Sequence, residues 1–184
     1  MTTKMHSGDL LVAGPFMSDP YFKESVVYLC EVFEGGSFGL VLNKRTGNKV
    51  HEVVEDFPKV EAEVFVGGPV QQNTLHFLHR KGDILDESFP VMKGIWWGGN
   101  YEQLKVLIKK ELILPTDIRF FLGYAGWDKG QLENEIQESA WLMTKGKREH
   151  VFYKPHINLW RETVSQFGNN YSVIADNIGK TGMN

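Results

Sequence analysis

The chain has 184 residues, with 20 Lys and Arg against 23 Asp and Glu, a formal net charge of −3. That length suits one domain over residues 1–184 that holds its core without a disulfide or metal, and 42% hydrophobic with 23% charged content excludes a disordered, collagen-like or coiled-coil chain. A lone cysteine, Cys30, rules out an intramolecular disulfide framework and fits a reducing, cytoplasmic compartment; no apolar run approaches the roughly 18–20 residues of a membrane span, and Lys4 ahead of Leu10 to Ala13 makes a poor signal peptide.

Glycine punctuates the chain: 19 residues, including the doublets Gly35-Gly36, Gly67-Gly68 and Gly98-Gly99, each after a short apolar run, as at strand ends. The first strand is expected at Asp9 to Gly14 and a turn at Pro20 to Glu24. Ser25 to Glu34 is apolar on both faces and should be a buried central strand. Gly35-Gly36 then reverses the chain into Phe38 to Asn43 as a hairpin. Asn48 is expected to cap a helix carrying Val50, Val53, Val54 and Phe57 on one face, ended by Pro58. Strands follow at Glu63 to Val66, Thr74 to Arg80 and Val91 to Trp97. A second helix is expected from Tyr101 to Leu112, with Leu104, Leu107, Ile108 and Leu112 inward. Another strand covers Asp117 to Gly123, a third helix begins near Gly130 and a fourth near Asn158. Residues 169–184 read as a loosely held tail. Helices interleave with hairpins, which predicts an α+β fold.

The most informative stretch is Gly126-Trp127-Asp128-Lys129-Gly130-Gln131-Leu132-Glu133-Asn134-Glu135. It reads as a helix start, with Asp128 as N-cap, Gln131 closing a capping box, and Trp127 and Leu132 as a hydrophobic staple. Leu132, Ile136, Ala140 and Met143 would line the buried stripe, flanked by Trp141. The competing reading turns Trp127, Gln131 and Glu135 towards a ligand cleft.

These residues resemble the YqgE/AlgH family of bacterial proteins from about Gly8 to Met143. The matching pieces are Gly8-Asp9-Leu10-Leu11, Asp19-Pro20-Tyr21-Phe22-Lys23-Glu24-Ser25-Val26-Val27, Gly39-Leu40-Val41-Leu42-Asn43-Lys44, Val66-Gly67-Gly68-Pro69-Val70, and Gly123 to Trp127 through Gln131 to Glu135. The resemblance implies a single α+β domain with a mostly antiparallel, branched β-sheet that includes a small barrel and is flanked by helices. Members are often labelled transcriptional regulators, and the family carries no accepted catalytic set. Lys44-Arg45-Thr46 departs from relatives that have Arg and Pro after the Asn.

Other chemistries find little support. Gly35-Gly36-Ser37-Phe38-Gly39 leads into a strand, so it lacks the helix N-terminus that holds a pyrophosphate. His76 and His79 fall on opposite faces of a strand, and His51-Glu52 has Glu55 where a zinc motif needs histidine. No G-x-S-x-G elbow occurs, and Cys30 sits mid-strand as an inert thiol. Asp83, Asp86 and Glu87 read as a solvated acidic turn. The best basic cluster, Lys145, Lys147 and Arg148 with His150, is interrupted by Gly146 and Glu149.

The expectation is therefore a non-catalytic binding or regulatory protein. Asn43, Gly67, Gly68 and Pro69, with Trp127, Gln131 and Glu135, would border one shallow cleft for an anionic or amide-bearing small molecule or a partner's backbone. No cofactor, metal or membrane is expected. Direct DNA contact is the alternative, an unrecognised hydrolase a third reading, and the oligomeric state is left open.

Overall fold

A computed structural model describes residues 4–153 and 156–181. Among these, ten strands form one sheet: β1 (Asp9–Ala13), β2 (Val26–Phe33), β3 (Gly36–Val41), β4 (Arg45–Lys49), β5 (Glu63–Val66), β6 (Val70–His79), β7 (Phe89–Met92), β8 (Ile95–Trp97), β9 (Ile118–Asp128) and β10 (Trp141–Lys145). The helices are α1 (Val50–Val53), α2 (Tyr101–Lys109), α3 (Gln131–Gln137), α4 (Arg148–Phe152), α5 (Leu159–Val164) and α6 (Asn169–Thr181). The main path runs β10-β1-β2-β3-β9-β6-β8-β7, with β4 and β5 off it.

The branch lies in β9. Its residues 120–122 pair parallel with β5 on one side and antiparallel with β6 on the other, whereas residues 125–128 pair with β3. Every other pairing is antiparallel. The branched α+β sheet is present, but it does not close into a barrel: β10 and β7 end the path without pairing to each other. Pro90 has no N–H to donate, which suits β7 to a sheet edge.

Period-two alternation on the branch distributes side chains between two cores. Phe120, Val64 and Phe77 face one core with Leu104 and Ile108 of α2. Their neighbours Phe121, Phe65 and Leu78 face the other, with β1, β2, β3, α5 and α6. Apolar residues on both faces of these strands are the signature of a sheet covered on both sides.

The branch requires main chain to cross main chain. Gly67 N donates to Leu122 O at 2.8 Å and Gly67 O accepts from Val41 N at 2.8 Å, stitching the end of β5 to β9 and β3. A Cβ on Gly67 would meet the Gly123 carbonyl and lie 2.9 Å from Phe121 Cβ; one on Gly68 would fall inside the Tyr124 carbonyl group.

Several local expectations change. Residues 45–49 form β4, so Asn48 caps no helix; Lys49 precedes the single turn of α1. The Thr46 hydroxyl donates to Val64 O at 2.6 Å and favours pairing with β5 over helix. Val91 to Trp97 is two strands, and Leu112 lies beyond α2, 51% exposed. Helix α3 stops at Gln137; Ser139 turns left-handed at φ 59°, and Trp141 to Lys145 pair with β1 instead of extending the helix. Residues 169–181 are not a loose tail but α6, because Ala175 is buried and Tyr171 and Ile178, at helical spacing from it, pack on the first core. Residues 182–184 lie outside the described residues.

His76 and His79 do project to opposite faces of β6. His79 is fully buried, with Nε2 2.8 Å from Gly98 O and Nδ1 accepting from Lys81 N at 3.1 Å, so the ring is neutral and protonated at Nε2. Burial lowers the pKa of both histidines.

Gly68→Ala should destabilise the fold by about 3 kcal/mol, because the new methyl meets backbone that has no rotamer to yield; urea unfolding checks this. As the pH falls below about 6.5, the unfolded chain takes up protons that the folded histidines refuse. Stability is therefore highest above that pH and declines towards pH ~5. His76→Phe should flatten the melting temperature against pH across this window.

Candidate functional site

The stretch 126–135 forms a polar clamp. Asp128 ends β9 and is not the N-cap of α3; Gly130, in the left-handed region, takes that position without a side-chain cap. Gln131 still reaches back, its Oε1 accepting from Asp128 N at 3.1 Å, while its Nε2 donates to Glu135 Oε1 at 2.9 Å. Glu135 Oε2 accepts from the indoles of Trp127 and Trp141, each at 2.9 Å. Both tryptophans are at least 95% buried and meet edge to face at 5.9 Å. One carboxylate thus satisfies two buried N–H groups and pins α3 across β9 and β10.

Asn43 also closes on its own chain. Its Oδ1 accepts from Val26 N at 2.9 Å and its Nδ2 donates to Glu24 O at 2.8 Å, continuing the β2–β3 ladder with a side chain. Gly67 and Gly68 occupy the main-chain crossing, and the Gly67 N–H is spent on Leu122; Pro69 follows them, exposed. The seven expected residues do not share one cleft. Trp127 pairs with Ser37 at one end of β3, and Asn43 lies six residues further along the chain, roughly 20 Å at strand rise.

Trp127 instead borders a cavity of about 480 Å³ whose walls include Phe33, Phe38, Trp97 and Tyr124, with Glu31, Ser37 and Asp128 among them. Phe38 packs 4.8 Å from Trp97, 5.0 Å from Tyr124 and 5.4 Å from His76. Phe33 is 52% exposed. Trp97 Nε1 and His76 Nε2 are buried without a hydrogen-bond partner. Among the described residues, neither Glu31 nor Asp128 forms an ion pair. Glu31 sits where the β2–β3 register shifts, which turns its side chain out of simple alternation. The sequence reading missed Phe38, Trp97 and Glu31 because they lie on different strands; the one local cue was Tyr124 inside the Gly123 to Trp127 motif.

Reactive side chains elsewhere are shut away. Cys30 is buried, and desolvation, with the nearby Glu31 charge second, pushes its thiol well above the ordinary range. Arg119 is 7% exposed, donating to Leu42 O at 2.7 Å and Val151 O at 3.0 Å, and its guanidinium lies 4.0 Å over the Phe65 ring. Burial brings its pKa down to about 9, against the raising influence of Glu63. Among the described residues, no group of three His, Cys, Asp or Glu converges as metal ligands would.

If Glu135 is a strut, Glu135→Ala should cost roughly 2–4 kcal/mol by leaving two buried indoles unpartnered. It should also alter the near-ultraviolet circular dichroism of the tryptophans, while Glu135→Gln should recover part of the loss.

The AlgH-like family model matches residues 10–172. A UPF0301 protein of Chlorobaculum tepidum is 41% identical over 177 residues, covering 96% of this chain and 95% of the relative. One from Chlorobaculum parvum is 39% identical over 180 residues, covering 98% and 96%. Among solved structures, the AlgH protein from Pseudomonas aeruginosa is similar with a TM-score of 0.74 at 28% identity, covering 95% of each chain. A Corynebacterium diphtheriae protein shares the fold with a TM-score of 0.76 at 21% identity, covering 95% of this chain and 94% of that one. With most of its length matched by the family model and by close relatives, the chain belongs to the AlgH-like family.

Proposed function

We propose that this AlgH-like protein is a non-catalytic, cytoplasmic binding protein whose ligand, a small organic cation, sits in the aromatic pocket. The observation that carries the reading is the convergence of Phe33, Phe38, Trp97 and Tyr124 on one cavity beside the unpaired carboxylates of Glu31 and Asp128. Aromatic faces attract cations by their quadrupole, and the half-buried Glu31 carboxylate, with the exposed Asp128 beside it, adds to that attraction. The volume of about 480 Å³ suits a small ligand. Ser37 borders the same space, yet it forms no hydrogen bond with an imidazole or carboxylate that would activate it among the described residues. Binding is thus favoured over hydrolysis.

A regulatory role would follow from ligand occupancy. Direct DNA contact has less support, because Lys145, part of the best basic cluster, is drawn to buried Asp9 at 2.7 Å. Among the described residues, no helix is long and apolar enough to cross a membrane.

Choline and its neutral tert-butyl isostere, titrated by calorimetry and tryptophan fluorescence, test the proposal. Choline should bind, the isostere about tenfold more weakly, and Phe38→Ala should lose about tenfold in affinity for choline, as cation–π contacts of about 1–2 kcal/mol require. Glu31→Gln should weaken binding in the same direction. Equal affinity for the charged and neutral probes, or an unaffected Phe38→Ala, would overturn it.

A further inference from the structure

A second and larger cavity, about 760 Å³, opens beyond the far end of β3 from the aromatic pocket. Lys23, Lys44, Arg45 and Arg161 border it against a single carboxylate, Glu24. We infer that this cleft is a binding site for a small phosphorylated ligand bearing a diphosphate or comparably dense negative charge, independent of the aromatic pocket.

The charge balance is the first argument. The chain as a whole carries −3, so a positive concavity is a local feature and focuses field on its interior. Arg45 is already met by Glu63, its Nη2 2.7 Å from Oε2 and its Nε 2.8 Å from Oε1. Among the described residues, Lys23, Lys44 and Arg161 form no ion pair. Lys44 is half-buried, and its ammonium rests 4.4 Å from the centre of the Tyr21 ring. Burial lowers its pKa, with Asp19 opposing at longer range; an arriving anion would supply the counter-charge that the protein places no closer.

The walls are the second argument. Asn43 holds Glu24 and Val26 through both ends of its amide, and Glu24 is kept at φ 56°, an unusual angle for that residue. Opposite, Trp160 is anchored by its indole N–H on Ala13 O at 2.8 Å. Ile157, 77% exposed, adds an apolar border for the body of the ligand. Lysines supply compact point charges and an arginine supplies a planar fork, a combination suited to phosphate oxygens.

The test is calorimetric titration of the full chain with inorganic pyrophosphate. The parent should bind, with affinity falling as salt rises. Lys23→Ala combined with Arg161→Ala, both exposed positions, should weaken binding at least about tenfold with an unchanged melting temperature. Phe38→Ala should bind pyrophosphate as the parent does, which separates this site from the aromatic pocket. Competition arms use duplex DNA and vesicles of equimolar phosphatidylcholine and phosphatidylglycerol. Absent binding, parent-like affinity in the double variant, or a preference for DNA or vesicles over pyrophosphate would overturn the inference.

Discussion

The architecture depends on a place where two main chains pass with no side chain between them. Gly67 and Gly68 lie against Gly123 and Tyr124 so closely that a Cβ on either of the first two would overlap backbone. Only with that contact can β9 pair with β5 and β6 along one half and with β3 along the other. The same strand then supplies Phe120 to one core and Phe121 to the other. Its kink at Gly123, φ 71°, sits between the two halves and is open to glycine at little steric cost.

Polar side chains, half-buried at Glu135 and Asn43 and buried at Arg119, lock this branched sheet to its surroundings. Glu135 joins two tryptophans and α3; Asn43 extends a ladder beyond its last backbone pair; Arg119 ties β9 to the end of β3 and to α4. Arg119 is the costliest of these, a buried cation compensated by carbonyls and aromatic faces with no carboxylate bonded to it. Each Nη reaches one carbonyl while the buried Nε is left without a partner, so the burial is only partly compensated. Several residues that carry the family resemblance, Asn43, Gly67, Trp127 and Glu135, are among these struts and crossings.

The two cavities stand at opposite ends of β3 with opposite character. One is aromatic with carboxylates on its wall, and the other is lined by cations. Their separation by about 20 Å of strand puts them beyond a Debye length at physiological salt. The charges on one wall are therefore screened from those on the other.

Periodicity and punctuation alone determined the α+β class, the buried strand β2 and its hairpin with β3, the strand at Glu63 to Val66 and the inward placing of Leu104, Leu107 and Ile108 on α2, because each is set by neighbours in sequence. The helix-start pattern singled out Trp127, Gln131 and Glu135, and the family resemblance added Asn43 and the glycine pair, yet neither showed them as members of separate clamps. Tertiary structure alone decided that residues 45–49 and 141–145 pair as strands, since their partners Glu63 to Phe65 and Asp9 to Ala13 are remote in the chain. It likewise brought Phe38, Trp97 and Tyr124 around one cavity, and Lys23, Lys44 and Arg161 around another. A strand's hydrogen bonds and a pocket's walls are completed by residues far away in sequence, whereas a helix face or a turn is complete within a few residues of itself.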